Sequence, residues 1–350
     1  MSERVLTLRR LNRALLARQL LLERRRLPVQ RAVERLGALQ AQYSPSPYVA
    51  LWSRLADFRR EQLTRALERG TVVHAGVVRS TLHVMAREDF PDFVSAYVDG
   101  QRGRAERRGA DLEALSTALP DGPVSVQEVR RLAREALGVD DEWTIAFALR
   151  CIPHVLLPPS GTWRFHGTRT IVRWQERLPP PDEAAARVVR RCVAAFGPMS
   201  RRDVEHFTVL RLGRIDPGLA GLRRFEAEDG RVLFDVPRGP LPPEDAPAPV
   251  RFLPPYDSAI LAHHDRTRIL PAAYHETVIR KKNATTLATF LVDGFVAGSW
   301  RVERARSRAT LVLSPFEPIP RSPRVDLANE AEQLVRFYEP DAPAFATRFA

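Results

Sequence analysis

Cysteine, lysine and methionine are scarce in this chain of 350 residues: two cysteines, three methionines, and lysine only at Lys281 and Lys282. Cys151 and Cys192 stand in separate apolar segments, so they form neither a CxxC redox pair nor a zinc knuckle. Two reduced cysteines in a cytosolic protein are expected. No stretch reaches the roughly 18 apolar residues that a membrane helix needs, and MSERVLTLRR has no apolar signal core. The expected location is therefore cytoplasmic, nucleoid-associated, with no membrane contact. No cluster of Cys, His and carboxylates has ligand spacing, and no P-loop or dinucleotide glycine pattern occurs. No metal and no cofactor are expected.

Acidic residues are the other shortage. Lys plus Arg number 54 against 42 for Asp plus Glu, a net charge of +12 and a pI near 10.7. A chain this basic prefers a polyanion, most often nucleic acid or an anionic membrane surface. The choice of Arg over Lys is what a high-GC genome writes anyway; the net charge is not. Hydrophobic residues at 44% can build a core, and the length fits two or three compact units.

The first 90 residues read as helix, helix, helix, hairpin, the order of a winged helix. Leu8, Leu11, Leu15, Leu16 and Leu20 have helical period from Val5 to about Leu22. Pro28 opens a second helix carrying Val29, Val33, Leu36 and Leu39, and Arg60–Arg69 is a third, closed by Gly70. TVVHAGVVRSTLHVMA then predicts two strands turning at Gly76. The order recurs over 91–180, where SVQEVRRLAREALG is a capped helix and LLPPSGTWRFHG a wing around Ser160-Gly161. It recurs again over 181–237, with strands pairing across Asp229-Gly230. Six prolines between Pro237 and Pro249 mark a linker, 238–250. Alternating strands then predict a small antiparallel barrel or sandwich over 251–350, closed by the helix LANEAEQLVRFYE. The expected fold is α+β: three tandem winged-helix units and a small C-terminal β-barrel.

Two local features carry possible chemistry. Gln40 and Gln42 stand at a helix end, before Ser44-Pro45-Ser46-Pro47 breaks the helix. On a continuing helix they face different ways; if the helix unwinds at Ala41, both amides converge on one pocket, where they can hold a water and a flipped base. The plain alternative is two solvated caps. On the second hairpin strand, Arg79, Thr81 and His83 share one face. That face either contacts phosphate and lesion or is the wet side of a wing. His263-His264-Asp265 reads as structural rather than metal-binding, since adjacent strand residues point oppositely. Trp52, Trp143, Trp163, Trp174 and Trp300 read as core rather than base-stacking groups, with Trp163, on a wing tip, the one to test for stacking. His74, His154 and His166 are scattered singletons.

Gln40-Ala41-Gln42, Pro47-Tyr48 through Leu51-Trp52-Ser53-Arg54, and Arg79-Ser80-Thr81-Leu82-His83 together resemble the AlkZ/YcaQ family. So do Phe196-Gly197-Pro198-Met199-Ser200, Leu253-Pro254-Pro255-Tyr256-Asp257, His264-Asp265-Arg266 and Asp293-Gly294 through Trp300-Arg301. The YcaQ branch has Asp at the second Gln position; Gln42 places this chain with the AlkZ-like branch. DVEHFTVLRLGRI departs from the family in lacking a tryptophan-rich run. The resemblance implies three winged-helix units in a C-shape and a monofunctional DNA glycosylase that releases bulky N7- or N3-alkylated purines from double-stranded DNA. It extends to unhooking interstrand crosslinks and to self-resistance against a DNA-alkylating antibiotic. Gln40 and Gln42 would be catalytic, with Asp257 or Glu34 as possible helpers. Arg79, Thr81, His83, Tyr48, Arg54, Tyr256 and Asp257 would contact DNA and lesion. A monomer is expected. The competing classes are a non-catalytic winged-helix regulator and a protein that sequesters lesions without cutting; release of alkylated base from duplex DNA separates them.

Overall fold

Thr7 caps the first helix: its hydroxyl accepts from the Arg10 N–H, so α1 runs Leu8–Arg18, and Val5–Leu6 before it is a short strand, β1. The computed structural model describes residues 5–280 and 285–350. α2 (Val29–Leu36) ends at Gly37, whose φ of 84° only glycine adopts freely and whose Cα lies against Ala195. The chain then becomes extended as β2 (Leu39–Gln40) before α3 (Ser46–Arg54) and α4 (Arg60–Glu68). The Ser-Pro-Ser-Pro stretch therefore starts a helix rather than breaking one: Pro45 is its N-cap and Pro47 lies in its first turn, where no backbone N–H is required.

β3 (Val72–Gly76) and β4 (Leu82–Ala86) form the expected hairpin, but its turn is Val77–Thr81, with a single 3₁₀ turn at Val78–Ser80. α5 (Phe90–Glu106), α6 (Leu112–Ala118), β5 (Val124–Ser125), α7 (Val126–Leu137), α8 (Glu142–Leu149), β6 (His154–Leu157) and β7 (Thr170–Arg173) follow. Ser125 and Gly138 cap α7 as its sequence predicts. The two hairpins join through His74 opposite Leu156, giving one six-stranded sheet, β2-β4-β3-β6-β7-β5, that crosses from residues 1–90 into 91–180. Gly161 sits where a Cβ would strike the buried His74 ring, so the joint admits no side chain there.

α9 (Pro181–Phe196), α10 (Arg201–Thr208) and α11 (Leu212–Leu219) precede β8 (Arg223–Ala227) and β9 (Val232–Asp235), which pair antiparallel across Asp229-Gly230. β1 adds to β8 in parallel. The proline-rich segment has no regular structure, yet α1 straps it down: Arg9 Nε donates to the Glu244 carbonyl (2.9 Å) and Arg13 Nε to that of Ala246 (2.8 Å).

Beyond it come β10 (Arg251–Leu253), α12 (Ser258–Leu261), α13 (His275–Val278), β11 (Ile279–Arg280), β12 (Thr285–Thr286), β13 (Thr289–Val292), β14 (Phe295–Arg304), β15 (Ala309–Pro315), α14 (Arg321–Tyr338) and β16 (Phe345–Phe349). The sheet is open, in the order β10-β13-β14-β15-β16, so the expected closed barrel is corrected. The reason is the crossover through α14. It returns the chain parallel to β15, leaving β16 at the far edge from β10. Leu327, Ala331, Leu334 and Val335 of α14 then cover the sheet face of Phe252, Phe290, Leu311 and Leu313.

Candidate active site

The Gln-Ala-Gln triplet lies on the edge of the six-stranded sheet. Leu39 and Gln40 pair with Val84 and His83 of β4, and the Ala41 N–H donates to the Leu82 carbonyl at 2.7 Å. The backbone is thus extended at Gln40 and Ala41, where the sequence suggested a helix end. An extended backbone directs residues two apart to the same side, so Gln40 and Gln42 need no unwound helix to share one. Gln40 is buried and Gln42 exposed. The Leu82 N–H donates to Gln42 Oε1 at 3.4 Å.

Gln40 stands directly opposite His83, the position of a cross-strand neighbour. His83 is fully buried. Its Nδ1 lies 3.0 Å from the Thr81 carbonyl, which assigns the proton to Nδ1 and leaves Nε2 an acceptor; Nε2 has no partner among the described residues. Burial, with smaller contributions from Arg79 and His74, holds the ring at a pKa of about 3. A neutral imidazole at physiological pH can accept a hydrogen bond here but cannot serve as a general acid.

Of Arg79, Thr81 and His83, only His83 lies on β4; Thr81 ends the turn before it. Arg79 lies in the 3₁₀ part of that turn at φ 52°, a left-handed conformation that bulky residues seldom adopt. From there its guanidinium turns inward, donating to Gln40 Oε1 and to the Leu261 carbonyl, both at 3.3 Å. Thr81 Oγ1 donates to the Val78 carbonyl at 3.0 Å and closes the turn. One sheet edge therefore gathers Gln40, Gln42, Arg79, Thr81 and His83.

The other expected contacts lie elsewhere. Arg54 and Asp257 form a buried, bidentate ion pair of 2.8 and 3.0 Å, with side-chain exposures of 0% and 1%. Asp257 also caps α12 through the Ala259 N–H. Tyr48 is buried, its hydroxyl 3.0 Å from Thr64 Oγ1. All three side chains are buried, and Arg54 and Asp257 are engaged with each other. Tyr256 is half-buried and left-handed (φ 63°) beside Asp257. Trp163 packs edge-on against Tyr48, Phe337 and Tyr338 and lies under Arg60. Glu34 faces Arg31 and Arg191.

A family model described as DNA glycosylase AlkZ-like matches residues 33–337. The chain belongs to the AlkZ-like DNA glycosylase family. It is also similar to Streptomyces sahachiroi DNA glycosylase AlkZ, with a TM-score of 0.80 and 18% identity, over 99% of this chain and 100% of that one. At that identity the likeness is one of fold. No curated protein matches the sequence. In this member of the family, no described residues group three or more His, Cys, Asp or Glu as a metal site. No helix among them is long and apolar enough to cross a membrane.

The sequence reading missed Arg266, His206 and Phe207, which surround Arg79. Phe207 lies 5.4 Å from its guanidinium, and Arg266 Nη2 is 3.0 Å from His206 Nε2. His264-Asp265-Arg266 had stood out only as a family motif and a turn.

Proposed function

We propose that the protein is a monofunctional DNA glycosylase that hydrolyses the N-glycosidic bond of N7- or N3-alkylated purines in duplex DNA. The observation that carries this reading is the gathering of two glutamine amides, a neutral histidine and an arginine on one sheet edge, in a chain of the AlkZ-like family. An N7-alkylated guanine is cationic and leaves without protonation. The enzyme has only to expose the base, stabilise a sugar of oxocarbenium character and deliver a water. Gln40 and Gln42 can do both latter tasks: a carboxamide oxygen accepts from water and faces positive charge without itself ionising. His83 Nε2, a buried acceptor two residues beyond Thr81, adds a further water-holding position. Asp257 is committed to Arg54, which favours the amides over a carboxylate base.

The finer reading follows the same chemistry. Residues 1–90, 91–180 and 181–237 would be the winged-helix units cradling DNA. Bulky adducts, interstrand crosslinks and self-resistance to a DNA-alkylating antibiotic would be its setting. The test is single-turnover incubation with a duplex carrying one N7-methylguanine, scored by free base and abasic sites. Gln42→Ala should slow release about a hundredfold, the usual effect of removing a preorganised polar group, with DNA affinity unchanged. Gln42→Asp, imitating the YcaQ branch, should retain activity. Absence of release by the wild-type protein would leave a DNA-binding protein rather than an enzyme.

A further inference from the structure

Buried arginines in this protein commonly meet carboxylates. Arg18 meets Asp235 at 2.9 Å, Arg54 meets Asp257, and Arg13 meets Asp293. Arg79 and Arg266, both half-buried, do not: among the described residues, neither has a carboxylate within ion-pair distance. Arg79 spends its donors on a carbonyl and on Gln40 Oε1. Arg266 spends its own on two imidazoles, His206 Nε2 at 3.0 Å and His275 Nε2 at 3.2 Å, and its Nε is buried without a partner. His206 and Phe207 are consecutive on α10, so one helix end holds both guanidiniums, one against each ring.

The surroundings leave the charge of the pair unbalanced among the described residues. Burial lowers the pKa of both guanidiniums, and Arg266 lowers that of Arg79 further. Burial, together with Arg266 and Arg79, holds His206 at about 4, so it accepts from Arg266 as a neutral ring. Asp203, the carboxylate that acts electrostatically on His206, is engaged by the Ser200 hydroxyl (2.7 Å), the Ser200 N–H (2.9 Å) and the His264 N–H (3.0 Å). Two partly desolvated like charges without a counter-charge are unfavourable unless an anion comes to them.

We propose that Arg79 and Arg266 form a phosphate clamp that takes one backbone phosphate of the damaged strand and sets its sugar against Gln40. The clamp rests on the glycosylase reading for its substrate. Planar guanidinium forks match the paired oxygens of a phosphodiester, and only arginine offers that fork. Arg79 already touches Gln40, so the phosphate anchor stands one hydrogen bond from the amide that faces the sugar.

The experiment uses the full-length protein and duplexes carrying one N7-methylguanine, with single methylphosphonates replacing the phosphates around it one at a time. Arg266→Gln should slow single-turnover release about tenfold, the scale of one lost charge-assisted contact. One methylphosphonate position should slow the wild type equally and cost the variant nothing more, because both remove the same contact. Arg266→Lys, which keeps charge without the fork, should be intermediate at wild-type melting temperature, separating the clamp from a folding defect. If every methylphosphonate slows Arg266→Gln as much as the wild type, the clamp is wrong. A binding arm on undamaged duplex stands apart from catalysis: Arg266→Gln should flatten the slope of log affinity against log salt by about one. A wild type that releases no base but shows this change sinks the glycosylase reading and keeps the phosphate contact. Release and salt slope both unaffected by Arg266→Gln sink the clamp alone. If inorganic phosphate raises the melting temperature of the wild type but not of Arg266→Gln, while methylphosphonates have no effect, the site takes a free anion and the proposal falls.

Discussion

Arg54 and Arg79 both stand in motifs that suggest DNA contact, and the fold gives them opposite situations. Arg54 is sealed in the core against Asp257, a partner 203 residues further along the chain. Arg79 occupies a strained turn with no carboxylate in ion-pair reach among the described residues and donates instead to Gln40. The contrast shows that an arginine's task is decided by what meets its guanidinium. A paired one holds elements together; an unpaired, half-buried one is left able to receive an anion.

The sharpest way to break this comparison is to remove each arginine. Arg54→Ala strands a buried Asp257 carboxylate, and loss of one partner of a buried pair costs about 3–5 kcal/mol. Chemical denaturation should show that loss, and an unchanged midpoint would mean that the core admits water at Asp257. A second test concerns the histidine beside Arg79. The native pKa of His83 is about 3, below the ordinary 6.5, so between those values the unfolded chain binds the extra proton. Stability contributed by the neutral ring is full above pH 6.5 and is lost as pH falls toward 3. His83→Asn should therefore lessen the acid sensitivity between pH 6.5 and 4.5 by about 2 kcal/mol. Parallel pH curves for the two proteins would place His83 in a wetter site. Third, Arg79→Gln orphans no carboxylate and should change stability by less than about 1 kcal/mol, while base release slows. If it destabilises like Arg54→Ala, Arg79 is a structural residue and the contrast collapses. The smallest effect is expected at Arg131, on an exposed helix face between Glu128 and Glu135. Solvent screens such pairs, so Arg131→Ala should leave the melting temperature where it was.

Periodic and capped segments were legible without coordinates. α7 lies between Ser125 and Gly138, and α10 begins after Ser200 with Asp203 completing the cap. These are local effects, settled within one helical turn. The Gln40 segment was misread as a helix end because its conformation is imposed by pairing with β4, more than forty residues on. The open sheet replaced a barrel for a similar reason: nothing local in FATRF says that it pairs parallel to β15. Gln40, Gln42, Arg79 and His83 could be singled out by residue type and motif. The meeting of Arg79 with Arg266 and His206 could not, since α10 and the 261–266 turn reach it only through the shared core.

The strapping of α1 also bears on how the chain is made. Asn12 Nδ2 donates to the carbonyls of Arg268 and Gly294, Arg13 to Asp293, and Arg18 to Asp235. All these partners are translated more than two hundred residues after the helix that needs them. While the ribosome works through that interval, the polar face that α1 later buries has only water or a chaperone to satisfy it. α1 is made long before these partners, and a nascent chain stopped short of Asp293 would leave Arg13 without the carboxylate that meets it.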